Sequence, residues 1–146
     1  MKTLTTLALI GCLSPFAVAA QGGPSAHFIE NWDLDGNGSV SLAELTEKRG
    51  DVFYMFDVDE NEILDAAEYV LFDETRAADM AANAEGHGKG AGRMQEGLTL
   101  AFNDTDKDGQ VSRAEFLAHT ADWLAMVDQD SDGVITSHDF GPKKTN

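Results

Sequence analysis

The chain has 146 residues, and 26 acidic side chains against 10 basic ones give it a formal net charge of −16. A surface this acidic, with no basic patch to offset it, repels nucleic acid and anionic lipid, so neither is expected as a direct partner. With a single cysteine, Cys12, no disulfide can form within the chain.

Met1-Lys2, the apolar stretch Leu7 to Leu13 and the small residues Ala17-Val18-Ala19-Ala20 read as a signal peptide over residues 1–20. The stretch is too short to span a bilayer, so the remaining chain of about 126 residues is expected to be periplasmic or secreted. Leu9-Ile10-Gly11-Cys12 supports an alternative, a chain lipid-anchored through Cys12; without that anchor no direct membrane binding is expected. A chain cut after Ala19 or Ala20 keeps no cysteine and carries a charge of −17, because Lys2 is lost.

Four twelve-residue segments then follow, each opening with Asp and carrying side-chain oxygens at positions 1, 3, 5, 9 and 12: residues 33–44, 57–68, 104–115 and 128–139. Calcium, a hard cation, takes six to eight oxygens, and a loop of this length supplies them from positions 1, 3, 5, 9 and 12 and from the carbonyl of position 7. Loop 1 offers Asp33, Asp35, Asn37, the Ser39 carbonyl, Ser41 through water and Glu44. Loop 2 offers Asp57, Asp59, Asn61, the Ile63 carbonyl, Asp65 and Glu68, but has Glu62 where the sharp turn favours Gly. Loop 3 offers Asp104, Asp106, Asp108, the Gln110 carbonyl, Ser112 and Glu115. Loop 4 offers Asp128, Asp130, Asp132, the Val134 carbonyl and Thr136, and ends in Asp139, one methylene shorter than Glu. Up to four Ca²⁺ ions are expected, with loops 1 and 3 strongest. Fifteen of the 26 acidic residues occupy these ligand positions, and four dications would reduce −17 to −9.

Asp33 and Asp104 lie 71 residues apart, as do Asp57 and Asp128, so the second half repeats the first. Residues 21–76 form the first loop pair and residues 98–146 the second; an Ala/Gly-rich linker, residues 77–97, separates them, and its cluster Gly86 to Gly92 is expected to be flexible. Within each half the loops start 24 residues apart, leaving one helix between them, Leu42 to Phe56 and Arg113 to Val127. Each has an apolar stripe: Leu45, Val52, Phe53 and Phe56 in one, Phe116, Trp123, Leu124 and Val127 in the other. A helix of that length holds its two loops roughly 20 Å apart, so loops 1 and 2 cannot meet. Antiparallel packing of the two helices would instead pair loop 1 with loop 4 and loop 2 with loop 3, through Val40, Leu64, Val111 and Ile135 at position 8. Gly50 is the place where the first helix could break and undo this arrangement.

The loops resemble those of the EF-hand superfamily from about Ser25 to Phe140. The resemblance implies an all-α protein of EF-hand fold, with four helix-loop-helix calcium loops in two pairs related by internal duplication. The short loop spacing is distantly similar in layout to the lanmodulin family, secreted bacterial lanthanide binders. Their loops carry Pro at position 2, where this chain has Leu34, Val58, Thr105 and Gln129. Two readings of function stay open: a calcium buffer or calcium-stabilised protein, and a calcium sensor that shows an apolar groove to a protein partner. Lanthanide binding is a third, weaker one. His27, His87, His119 and His138 are scattered and no nucleophile motif is present, so no catalytic residues and no enzyme activity are expected.

Overall fold

The last four residues of each acidic segment form the start of the next helix, because positions 9 and 12 are also N-cap and N3. Ser41 and Glu44 make a reciprocal capping box, and so do Ser112 with Glu115 and Thr136 with Asp139. Asp65 fills the same place in loop 2, accepting the N–H groups of Ala67 at 2.8 Å and Glu68 at 3.0 Å. Metal-type spacing and helix initiation are thus written in the same residues.

The computed structural model describes residues 24–82 and 90–141. Residues 1–20, where a signal peptide is expected, together with Cys12 and most of the glycine cluster, lie outside these residues. In chain order the elements are α1 (Pro24–Trp32), β1 (Val40–Ser41), α2 (Leu42–Phe56), β2 (Ile63–Leu64), α3 (Ala66–Ala82), α4 (Gly90–Glu96), α5 (Leu100–Asn103), β3 (Val111–Ser112), α6 (Arg113–Ala118), α7 (Thr120–Val127), β4 (Val134–Ile135) and a 3₁₀ turn, Ser137–Phe140.

The helices are joined by two antiparallel ribbons that cross between the halves. β1 pairs with β4, Val40 opposite Ile135, and β2 pairs with β3, Leu64 opposite Val111. Arg113 N–H donates to the Glu62 carbonyl at 2.9 Å and extends the second ribbon. Val40, Leu64, Val111 and Ile135 are completely buried, so each ribbon closes one end of the core. This is the cross-half arrangement expected from loop spacing. α2 runs unbroken through Gly50, and the separation it imposes is what prevents pairing within a half.

The break comes in the other long helix. Arg113 to Val127 is two segments, α6 and α7, meeting at His119. In an undisturbed helix the Phe116 carbonyl would serve the N–H of Thr120, but here Arg49 donates to it from Nε at 3.1 Å and from one terminal nitrogen at 2.5 Å. The Thr120 hydroxyl also donates back to the Leu117 carbonyl at 2.7 Å. A side chain entering the ladder, and a threonine bonding back into it, are recognised causes of helix kinks.

Two further departures concern the ends of elements. Gly90 to Gly92, expected to be flexible, open α4, which is held by buried Met94 and by the Arg93 carbonyl accepting from Trp123 Nε1 at 3.3 Å. A helix glycine costs about 1 kcal/mol, and the packing overrides it. Loop 4 leads into a 3₁₀ turn instead of a second α-helix. Gly141 precedes Pro142, and a residue before proline is disfavoured in the α conformation.

The core is aromatic. Phe53 and Phe116 pack at 5.6 Å between centroids, Phe56 and Phe72 at 4.7 Å, and Trp32 and Trp123 edge to face at 5.1 Å. Phe28, Phe53, Phe56, Tyr69, Phe72, Phe116 and Trp123 are buried, while Ile29, Trp32, Leu100, Phe102 and Leu124 are partly covered at its edge.

Candidate metal centres

Carboxylates repel one another, so bringing several together requires donors to hold them, and in each loop the backbone supplies these. The first Asp folds the loop around itself: Asp33 accepts from Gly36 at 2.8 Å, Asn37 at 3.2 Å and Gly38 at 2.8 Å. Asp128 accepts likewise from Ser131, Asp132 and Gly133, Asp57 from Asn61 and Glu62, and Asp104 from Asp108 and Gly109. The last carboxylate closes the loop by accepting the N–H of position 2: Glu44 from Leu34 at 3.0 Å, Glu68 from Val58 at 2.7 Å, Glu115 from Thr105 at 3.2 Å and Asp139 from Gln129 at 2.8 Å.

Four groups result, each with three carboxylates whose oxygens lie within 4.8 Å of one another: Asp33, Asp35 and Glu44; Asp57, Asp59 and Glu68; Asp104, Asp106 and Asp108; Asp128, Asp130 and Asp139. Loop 3 differs in that its tight group takes Asp108, while Glu115 is held by the Ser112 N–H at 2.9 Å and hydroxyl at 2.7 Å. The shorter Asp139 still joins its cluster, carried there by the 3₁₀ turn. Among the remaining expected ligands, Asn37 and Asn61 turn their carbonyl oxygens to the N–H of position 7, Ser39 and Ile63, at 2.8 and 2.7 Å. Asp108 and Asp132 do the same for Gln110 and Val134. Ser41, Ser112 and Thr136 are engaged as caps.

These bonds set the charge state. The Gly38 N–H holds Asp33 below the usual carboxylate range, and the Ser41 and Ser112 N–H groups do the same for Glu44 and Glu115. Partial desolvation and then the neighbouring charge of Asp132 push Asp130 the other way. Groups of three carboxylates offer hard oxygen donors of the kind a hard dication such as calcium takes, and contain no soft donor for copper or a thiophilic metal.

Backbone strain is distributed unevenly. Positions 4 and 6 of all four loops have positive φ. Loop 1 places Gly36 and Gly38 there, and loops 3 and 4 have one glycine each, Gly109 and Gly133, beside Lys107 and Ser131. Loop 2 has none: Glu60 sits at φ 57° and Glu62 at φ 63°. Only position 6 was evident as a weak point from the sequence. Replacing Glu62 by Gly should stabilise the metal-free protein by about 1 kcal/mol, measured as a shift of the urea midpoint at unchanged slope. A neutral or negative shift would show that the loop carries no strain there.

The polar centre of the molecule, Arg49 with Asn103 and Tyr69, is marked by no motif in the sequence. Arg49 is 0% exposed and continues the stripe of Leu45 and Phe53 at helical spacing, the signal that could have exposed it. Its partners are the Phe116 and Gly97 carbonyls and Asn103 Oδ1. Tyr69 donates to the Leu98 carbonyl at 2.9 Å beside them, and burial raises its phenol to about 12. On the outer side, His119 links Thr105 at 2.9 Å to Asp122 at 3.2 Å, against loop 3.

Residues 101–118 and 120–141 match the family model of the EF hand, a match covering loops 3 and 4 and interrupted at the helix kink. A comparison with curated proteins finds no match. The segment from Ala101 to Gly141 is therefore similar to an EF hand, and acidic clusters of a kind that holds a metal recur in all four loops.

Proposed function

We propose that the protein is an exported calcium-binding protein that takes up as many as four ions, buffering calcium or drawing its own stability from it, and that it is not an enzyme. The observation that carries this reading is the assembly of three carboxylates within 4.8 Å in each of four loops, two of them in the EF-hand match. The ligands would be the side chains at positions 1, 3, 5, 9 and 12 and the position 7 carbonyl of each loop, as read from the sequence. Bound calcium would supply the charge that these clusters lack. Loops 1 and 3 should bind most tightly, loop 2 being weakened by its two strained glutamates and loop 4 by its shorter final carboxylate.

Calorimetric titration of the chelator-stripped protein with calcium, magnesium and lanthanum tests the site count and the metal preference together. Glu115→Gln should lower the stoichiometry by one strong site. No uptake of Ca²⁺ at millimolar concentration would refute the reading, and a strong preference for lanthanum would favour the lanthanide alternative.

One observation favours the sensor reading as a second possibility. A cavity of about 420 Å³ is lined by Phe28, Trp32, Met55, Met80, Met94 and Trp123, with Met55 68% exposed. The fold collects three methionines that are scattered along the chain, flexible side chains suited to an adaptable surface. A calcium-dependent rise in the fluorescence of a dye for apolar surface would support a sensor; equal binding with and without calcium would support a buffer.

A further inference from the structure

We infer that Arg49, in the first half of the chain, is a positioning residue for the metal loop of residues 104–115 in the second, because its guanidinium holds both ends of that loop. The inference rests on reading loop 3 as a calcium site. Asn103 immediately precedes Asp104, the first ligand, and Phe116 immediately follows Glu115, the last. Arg49 donates to Asn103 Oδ1 at 2.6 Å and to the Phe116 carbonyl at 2.5 and 3.1 Å, so one rigid plane bridges the two residues that bracket the loop. Its third direction goes to the Gly97 carbonyl at 2.9 Å.

The receiving groups are themselves fixed. Asn103 Nδ2 donates to the Thr99 carbonyl at 2.9 Å and the Gly97 carbonyl at 3.1 Å, which leaves Oδ1 aimed at Arg49. The guanidinium carbon lies 4.1 Å from the Phe116 ring centre and 5.0 Å from that of Trp123. Burial lowers Arg49 to about 10, so it remains a cation at neutral pH with carbonyl oxygens as its hydrogen-bond partners. A planar fork with five donors can serve three acceptors in fixed directions; an ammonium on a flexible stem cannot hold the same geometry.

The arrangement runs one way. In the 71-residue register Arg49 corresponds to Thr120, whose hydroxyl turns back to Leu117 in its own helix. Among the described residues, no guanidinium of the second half bridges the residues that bracket loop 1. Loop 3 should accordingly depend on the first half of the chain for its geometry, whereas loop 1 does not depend on Arg49.

Calcium titration by calorimetry of the full chain, alone and with Arg49→Lys, Glu115→Gln, Glu44→Gln and the double variants, tests this. Arg49→Lys should weaken one strong site about 10- to 100-fold, the usual effect of removing a group that orients a metal ligand, and leave the other strong site unchanged. Adding Glu115→Gln to Arg49→Lys should then remove no further strong site, while adding Glu44→Gln should. Equal weakening of both strong sites, or a full strong site still lost on adding Glu115→Gln, would overturn the assignment. If Arg49→Lys does not fold, the unsubstituted protein answers through the ¹⁵N resonance of Arg49 Nε. That signal should move as loop 3 fills and stay in place during titration of Glu115→Gln; a signal that ignores calcium in the unsubstituted protein refutes the clamp. If Glu115→Gln itself leaves the stoichiometry unaltered, it is loop 3 as a metal site that fails, and the clamp with it.

Discussion

Gly97→Ala is expected to destabilise the protein by about 3 kcal/mol, at the upper end for overpacking, although the change adds only one methyl group. A Cβ at Gly97 would fall inside the van der Waals radii of Trp123 Cδ1, Cγ and Nε1. The indole cannot retreat: it is completely buried, meets Trp32 edge to face, and its Nε1 donates to the Arg93 carbonyl. Nor can the backbone at Gly97 move freely, since its carbonyl accepts from Arg49 at 2.9 Å and from Asn103 at 3.1 Å. Urea denaturation in saturating calcium would measure the loss. In a Trp123→Ala background the same methyl should cost less than ~0.5 kcal/mol, because the two positions act through one contact. Equal costs in both backgrounds would mean that Gly97 is required for some other reason.

Removing calcium should have the largest effect of all. An ion present at a hundred times its dissociation constant adds about 2.7 kcal/mol per site, so filled loops 1 and 3 together contribute roughly 5 kcal/mol. For a chain of this size that corresponds to a melting temperature lower by on the order of 20 °C in chelator. Calorimetric melting in calcium and in chelator measures the difference. The comparison must include monovalent salt, because a chain of net charge −16 also gains stability from screening alone. If 0.5 M potassium chloride, on the order of a few Å in screening length, restores the whole difference, the clusters are merely repelling surfaces. Recovery with calcium and not with potassium identifies sites.

Much of the candidate metal chemistry was legible because it is local. Asp33 and Glu44 are eleven positions apart, and the bonds shaping their loop, from Gly36, Gly38 and Leu34, all lie within that interval. Loop pairing was legible for a different reason, that the length of α2 keeps its two loops apart. Position 4 was not legible, because only φ distinguishes Glu60 and Lys107 from ordinary loop residues.

By itself, then, the sequence determined the four acidic loops, their helix starts and the identity of the residues at position 8, since each depends on hydrogen bonds or side-chain periodicity across a dozen residues or fewer. Only the tertiary structure decided that Arg49 is buried, that α6 and α7 part at His119, that a glycine-rich stretch becomes α4 and that Met55, Met80 and Met94 share one cavity. Each of these depends on groups distant along the chain. Arg49 and Phe116 are separated by 67 residues, and a guanidinium on an apolar helix stripe finds its acceptors only once the two halves have packed.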